Sequence, residues 1–413
     1  MTTQILLPMQ RSTSSSGRIV EAPAMVFEWR CVPQCGDLME VCARAQAPMT
    51  LLGSVVTLAI VLLGIYVVER TPSPNFARRI VAIGDLHGDY DRALAILRHT
   101  DIIGTNTTDW IAGKDILVST GDTVDRGNDT VKIYQLFQSL REQSAKMGGQ
   151  VITLLGNHEM MNAMYDWSYV APGDIESFGG AEARRKAIST DGWLGREWLH
   201  HYNVTASVGL LPKEACKYGP MDRVVFVHGG ITPEWAAIGM DTINALGHSL
   251  LSKALADPNS SGALPANTTD EERSLWDRSG PFRYRGYALE KNETACPTIM
   301  TALDTLGYDH MVMGHTPQMD GIVQRCNATG ILIDTGISSV YDGKQSALVF
   351  ESELGAGWTQ SNDGSKVYDR YWAAYHRISA RQLGEPTRVL NRVYYVHPWK
   401  KPADQGLRSW LGL

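Results

Sequence analysis

The chain has 413 residues, 44% of them hydrophobic, enough to bury a sizeable core without disulfide support. Its 38 Lys and Arg are outnumbered by 44 Asp and Glu, a formal net charge of -6. That balance excludes a general nucleic-acid binder, whose affinity rests on clustered cations, and leaves room only for a local basic pocket.

Residues 1–48 are polar and low in complexity around Arg11-Ser-Thr-Ser-Ser-Ser-Gly17, with no apolar period, and are expected to form a disordered cytoplasmic tail. From Leu51 to Val68 no residue is charged. The length is close to the roughly 20 residues that span a bilayer core, so residues 49–69 are expected to be one transmembrane helix. A buried core helix is the alternative reading, but a structureless tail on one side and a first strand on the other leave it little to pack against. The 48 residues before it are too many for a cleaved signal peptide, which points to an uncleaved signal anchor. Arginines flank the run on both sides and do not orient it. Seven of the thirteen asparagines open an Asn-x-Ser/Thr sequence: Asn106, Asn128, Asn203, Asn259, Asn267, Asn292 and Asn327. All follow the apolar run, which predicts a glycosylated lumenal or extracellular domain and a single-pass type II membrane protein. Cys31, Cys35 and Cys42 then face the cytoplasm, while Cys216, Cys296 and Cys326 face an oxidising space. One pair and one free thiol are possible there, with the pairing unreadable.

Beyond Thr71-Pro-Ser-Pro74, short apolar strands alternate with helical stretches, the grammar of an α/β domain over residues 78–350. Arg79–Ile83 reads as a strand ending at Gly84-Asp85, followed by a helix over Tyr90–Arg98. Asp115–Ser119 ends at Gly121-Asp122, Gln150–Leu155 at Gly156-Asn-His-Glu159, Arg223–Val227 at His228-Gly-Gly230, and His310–Met313 at Gly314-His315-Thr316. Five strands with polar residues at the same end can converge on one pocket, because ligands bind beyond the carboxyl ends of strands in open α/β sheets. Residues 160–199 are expected to form a helical cap. Gly330–Asp334 and Ser346–Phe350 look like strands of a second sheet, and residues 351–413 are an unassigned extension. Carboxylate, imidazole and amide groups without thiolates suit divalent first-row ions at hydrolytic sites rather than a zinc ribbon or iron–sulfur cluster.

Gly84-Asp-Leu-His-Gly88, Gly121-Asp-Thr-Val-Asp-Arg-Gly127, Gly156-Asn-His-Glu159, His228-Gly-Gly230 and Gly314-His315, in this order, resemble the signature of the calcineurin-like metallophosphoesterases. The resemblance covers about residues 78–340 by the spread of its motifs and implies a four-layer αββα sandwich with two divalent metal ions, manganese, zinc, iron or cobalt. Carried over motif by motif, Asp85 and His87 hold the first ion, Asp122 bridges, and Asn157, His228 and His315 complete the second. Asn157 also faces substrate. A hydroxide held between the ions attacks a phosphate monoester or anhydride. His158 protonates the leaving group or orients substrate, Asp125 sets its tautomer, and Arg126 grips phosphate oxygens. Gly280-Pro-Phe-Arg-Tyr-Arg-Gly286 resembles the segment supplying a second such arginine in one branch, with Arg285 preferred over Arg278 and Arg283. His200, His201, His248, His376 and His397 lie outside the motifs.

The longer motif Gly156-Asn-His-Glu-Met-Met-Asn162 is similar to that of the Shewanella-like protein phosphatases, and fungal vacuolar endopolyphosphatases with an N-terminal anchor resemble the chain too. The vacuole is therefore the preferred compartment, ahead of another secretory-pathway membrane or the cell surface. Leu86 and Thr123 depart from the cytosolic Ser/Thr phosphatases. The expected substrate is polyphosphate, a phosphoprotein or a small phosphate ester. A membrane-tethered module that binds metal without catalysis is the alternative. The sequence leaves oligomeric state open.

Overall fold

The structure is a computed structural model that describes residues 76–218, 222–258, 260–354, 367–376 and 392–394. The expected tail at 1–48 and anchor at 49–69 lie outside the described residues. Among the described residues, no helix is long and apolar enough to cross a membrane.

The strands are β1 (Phe76–Ile83), β2 (Ile116–Ser119), β3 (Gln150–Leu154), β4 (Tyr202–Asn203), β5 (Thr205–Gly209), β6 (Arg223–Val227), β7 (His310–Met313), β8 (Val323–Arg325), β9 (Gly330–Leu332), β10 (Gln345–Leu354), β11 (Val367–His376) and β12 (Arg392–Tyr394). They form one sheet in the order β12-β11-β10-β1-β2-β3-β4 and a second in the order β5-β6-β7-β9-β8. The helices are α1 (Tyr90–His99), α2 (Thr130–Met147), α3 (Asn157–Ala163), α4 (Pro172–Ser177), α5 (Ala181–Ile188), α6 (Trp193–His201), α7 (Pro233–Ile238), α8 (Met240–Leu255), α9 (Asp270–Trp276), α10 (Gly286–Leu289) and α11 (Asn292–Leu306).

Alternation along the strands sets the layers, since successive side chains leave opposite faces of a sheet. Ile80, Ala82, Val118, Leu348 and Phe350 of the first sheet meet Val224, Phe226, Val312 and Ile331 of the second in a shared core. The opposite face of the first sheet, with Val81, Ile83, Leu117 and Val349, packs on α1 and α2 through Leu97, Ile133 and Phe137. The opposite face of the second, with Val225, Val227, Met311 and Met313, packs on α8 and α11 through Ile243, Leu251, Ile299 and Leu303. The result is a mixed α/β fold with two face-to-face sheets between helical layers.

Two expectations change. Ser346–Phe350 belongs to the first sheet, inside β10, antiparallel to β1 with Ile80 opposite Phe350 and Ile83 opposite Ala347. Its side chains are buried on both faces, which demands an interior position, and the open edge of β1 offers one, whereas β9 is already closed by its hairpin partner β8. The five motif-bearing strands are also not neighbours in one open sheet. β1, β2 and β3 run parallel in the first sheet, and β6 and β7 run parallel in the second. Their polar ends still meet, because the sheets lie face to face. Beyond Phe350, β10 continues to Leu354, and β11 and β12 extend the same sheet.

Candidate functional site

The site is built from the turns that leave β1, β2, β3, β6 and β7. His87, Asp122, Asp125, Arg126 and His315 all have left-handed backbone, with φ of 45°, 52°, 72°, 67° and 68°. Such conformations cost about 1–3 kcal/mol each for residues with a side chain and persist only where the surroundings enforce them. Here the enforcement is visible. The amides of Leu86 and His87 donate to the carbonyl of Asp122 at 3.1 and 3.0 Å, which ties the first turn to the second. The buried Glu159 carboxylate accepts from the amides of Asp122, Thr123 and Gly156 at 2.8, 2.7 and 2.8 Å and from the Tyr134 hydroxyl at 3.1 Å, which ties the second turn to the third. Two glycines permit the approach. A Cβ on Gly156 would overlap the Asp122 carboxylate, and one on Gly314 would overlap that of Asp85.

Asp122 lies at the centre. Its Oδ2 is 3.2 Å from His228 Nε2 and 3.9 Å from the Nε2 atoms of His87 and His158. The other ring nitrogen of His87 meets the carbonyl of Val124 at 3.0 Å, and that of His228 meets the carbonyl of Thr120 at 2.9 Å. A carbonyl only accepts, so Nδ1 carries the proton in both rings and Nε2 presents a lone pair. His315 Nε2 faces the carbonyl of Arg283 at 3.2 Å, which leaves Nδ1 as its free donor atom. Asn157 Oδ1 stands 3.1 Å from His228 Nε2. Thus His228 Nε2, an amide oxygen and a carboxylate oxygen face one another, an arrangement made attractive by a shared cation, either a metal ion or a proton on the ring.

The ionisation pattern agrees with a cation site. Burial pushes His87 down to about 4, against the pull of Asp122, and burial with His228 and Arg285 pushes His315 down to about 2, so both rings are uncharged at neutral pH. Burial, then Asp334 and Asp122, raises the Asp85 carboxyl well above the usual range, and burial raises Asp334 to about 6. Burial also opposes the Asp122 carboxylate, but His228 and His158 outweigh it and hold its pKa well below the ordinary value. Three acids packed together want positive charge. His87, Asp122 and His158 form one group whose candidate ligand atoms lie within 4.8 Å, and Asp122, His228 and His315 form a second. The donors fit two divalent ions sharing Asp122. His158 joins the first group by proximity, but its Nδ1 is 2.6 Å from Asp125 Oδ2, the geometry of a proton donor and its orienting carboxylate.

The remaining expected residues take graded positions. His158 is raised in pKa: burial acts downward, and Asp122 and Asp125 outweigh it. The Arg126 guanidinium lies between the rings of Tyr169 and Tyr341, 4.6 and 5.0 Å from their centroids. Arg285 donates to the carbonyl of His315 at 2.9 Å and to Thr316 Oγ1 at 3.2 Å, which puts it at the rim. Arg283 instead covers Trp276, 5.0 Å from the ring, and Arg278 is exposed. Sequence reasoning missed the anchoring role of Glu159, the acid Asp334, and the aromatic pair Tyr169 and Tyr341. Asp334 closes an apolar run just as Asp85 and Asp122 do, so the same strand-end signal could have found it. Nothing local marks the tyrosines.

A family model described as calcineurin-like phosphoesterase matches residues 78–319. An uncharacterized protein of Schizosaccharomyces pombe is 39% identical over 65% of this chain and 76% of its own length. Shewanella-like protein phosphatase 1 of Plasmodium berghei is 29% identical over 63% of this chain and 67% of its own. The crystal structure of the cold-active protein-tyrosine phosphatase of a psychrophilic Shewanella species superposes with a TM-score of 0.52 at 25% identity, over 70% of this chain and 77% of that one.

Proposed function

The chain belongs to the calcineurin-like phosphoesterase family, and from that premise we propose that it is a two-metal phosphomonoesterase of phosphoproteins, phosphotyrosyl substrates included, rather than a polyphosphatase. The observation that carries the choice is the aromatic setting of Arg126. A polyphosphate chain needs a continuing track of cations. Arg126 and Arg285 can grip one phosphate, and what surrounds Arg126 is Tyr169 and Tyr341, with Met319 and Tyr341 both flanking Gly336 and Val340 next to Tyr341 in the chain. Tyr169, Met319 and Val340 are 45%, 45% and 57% exposed. That rim suits a phosphate carried on an aromatic or apolar body. The Plasmodium relative is named a protein phosphatase and the Shewanella one a protein-tyrosine phosphatase, which points the same way.

Asp85, His87, Asp122, Asn157, His228 and His315 would hold the ions, with Asp122 in the shared position. When bound, two divalent ions supply Lewis acidity toward phosphate oxygens and acidify a water. Arg126 and Arg285 orient the non-bridging oxygens, the former with its plane fixed by two rings. His158 delivers the Nε2 proton to the departing oxygen, while Asp125 accepts from Nδ1–H and fixes the tautomer.

The purified catalytic domain, supplied with manganese, zinc or cobalt, should be assayed side by side on phosphotyrosyl and phosphoseryl peptides and on long-chain polyphosphate. Phosphopeptide turnover with little shortening of polyphosphate is expected; the reverse overturns the reading.

We also propose a type II topology with the catalytic domain in a lumen, the vacuole being the preferred compartment. Two features support it. Asn106, Asn128, Asn203, Asn267, Asn292 and Asn327 are all exposed, and Cys296 and Cys326 form a disulfide, a bond kept in oxidising compartments. Glycosidase treatment of protein from a eukaryotic host should lower its apparent mass, and an unchanged mass would count against this topology.

A further inference from the structure

We infer that Arg184, on the cap helix α5 and outside every motif, is a positioning residue for His158 that acts through Asn162 and Asp125. The inference rests on the reading of His158 as the proton donor to the leaving group.

The connection is a chain of hydrogen bonds, with a longer ion pair beside it, Arg184 Nη2 lying 3.9 Å from Asp125 Oδ1. His158 Nδ1–H meets Asp125 Oδ2 at 2.6 Å, and the other oxygen of Asp125 accepts from Asn162 Nδ2 at 2.8 Å. Asn162 Oδ1 accepts from Arg184 Nη2 at 2.8 Å, and Arg184 Nε donates to Asp174 Oδ2 at 3.1 Å. Asp174 Oδ1 accepts from the amide of Thr130, which starts α2. Asp125, Asn162, Asp174 and Arg184 are fully buried. With every member buried, these polar groups depend on one another for their hydrogen bonds.

Donor and acceptor roles fix the direction. A guanidinium only donates, so Asn162 must turn its oxygen to Arg184 and its NH₂ to Asp125. The same NH₂ also donates to the carbonyl of His158 at 2.9 Å. Asp125 and the His158 carbonyl, both acceptors, already select this orientation, and Arg184 locks it from the other side by holding the Asn162 oxygen in place. Asp125 has φ of 72°, so its own backbone does not favour the conformation that aims its carboxylate. Arg184 is in turn held by Asp174 and lies over the rings of Trp167 and Phe178, 4.8 and 5.3 Å from their centroids. The cap thereby sets the aim of the proton donor. Lysine cannot replace it, because a point donor cannot serve Asn162 and Asp174 together in this geometry.

The test separates aim from stability through the leaving group. An aryl phosphate with an acidic phenol departs with little protonation, whereas a phosphoseryl peptide or alkyl phosphate needs the proton in the transition state. Arg184→Lys and Asn162→Ala are expected to lower kcat on the alkyl ester by about 10- to 100-fold, as for small displacements of a reacting group. On p-nitrophenyl phosphate they should stay within about 2-fold of the parent, with KM and metal content unchanged. Equal losses on both substrates would overturn the inference and leave Arg184 a merely structural residue. If either variant does not fold, the pair Arg184→Gln with Asp174→Asn removes the charge pair without stranding a buried ion, and the same comparison applies. His158→Asn is the control. If it shows no leaving-group dependence, the reading of His158 fails; if it does and the Arg184 variants do not, only the link to the cap fails.

Discussion

Asp122 is common to both candidate metal-binding groups, and its Oδ2 is the atom that three imidazole nitrogens face. Asp122→Asn keeps the shape and removes the charge, and is expected to abolish turnover and to reduce bound metal in elemental analysis. Near-normal activity in that variant sinks the shared-ligand assignment. The six residues expected to be ligands could be picked out because each stands at the end of an apolar strand inside a short motif. Glu159 stands within such a motif, yet its contacts to Asp122 and Thr123 run 37 and 36 residues back along the chain, beyond any local pattern. Tyr341 and Arg184 were illegible for a stronger reason: an aromatic or a charged side chain acquires its role only from what folding places beside it.

At the scale of elements, the turns after β2 and β3 touch so closely that Gly156 has no room for a side chain. Gly156→Ala should force the Asp122 carboxylate aside, with weaker metal binding in titration calorimetry and about 1–3 kcal/mol less stability, the usual cost of overpacking. At the start of β7, His310 Nδ1 donates to the carbonyl of Ala328 at 2.8 Å and Nε2 lies 3.9 Å from Asp222. Burial lowers its pKa, but Asp222 and the Ala328 carbonyl outweigh burial and raise it. A raised histidine contributes stability that is full below the unfolded value of about 6.5 and fades as pH rises through the folded value. His310→Gln should therefore lower the urea midpoint more at pH 6 than at pH 9; an equal loss at both would remove the protonated ring from the account. Strand positions were legible from their apolar runs. Sheet membership was not, since β10 reads as a buried strand whichever sheet receives it, and only the open edge of β1 decides the matter.

For the whole molecule, the buried acids Asp85, Asp122 and Asp334 predict a folded state stabilised by bound cations. Chelation should lower Tm by several degrees and added manganese should restore it, because a ligand that binds only the folded chain stabilises it by mass action. An unchanged Tm would mean the acids are neutralised by protons instead. The pairing of β1 with β10 reaches further than stability. Asp85 is joined to His315, 230 residues later, and β1 is flanked by a strand made soon after it and by one that ends at Leu354. At translation rates of about 5–20 residues per second, the amide that grips Asp85 emerges roughly 10–50 s after the carboxylate. A nascent chain therefore carries a half-built centre, its first strand waiting for a partner, until the segment through Leu354 has been made.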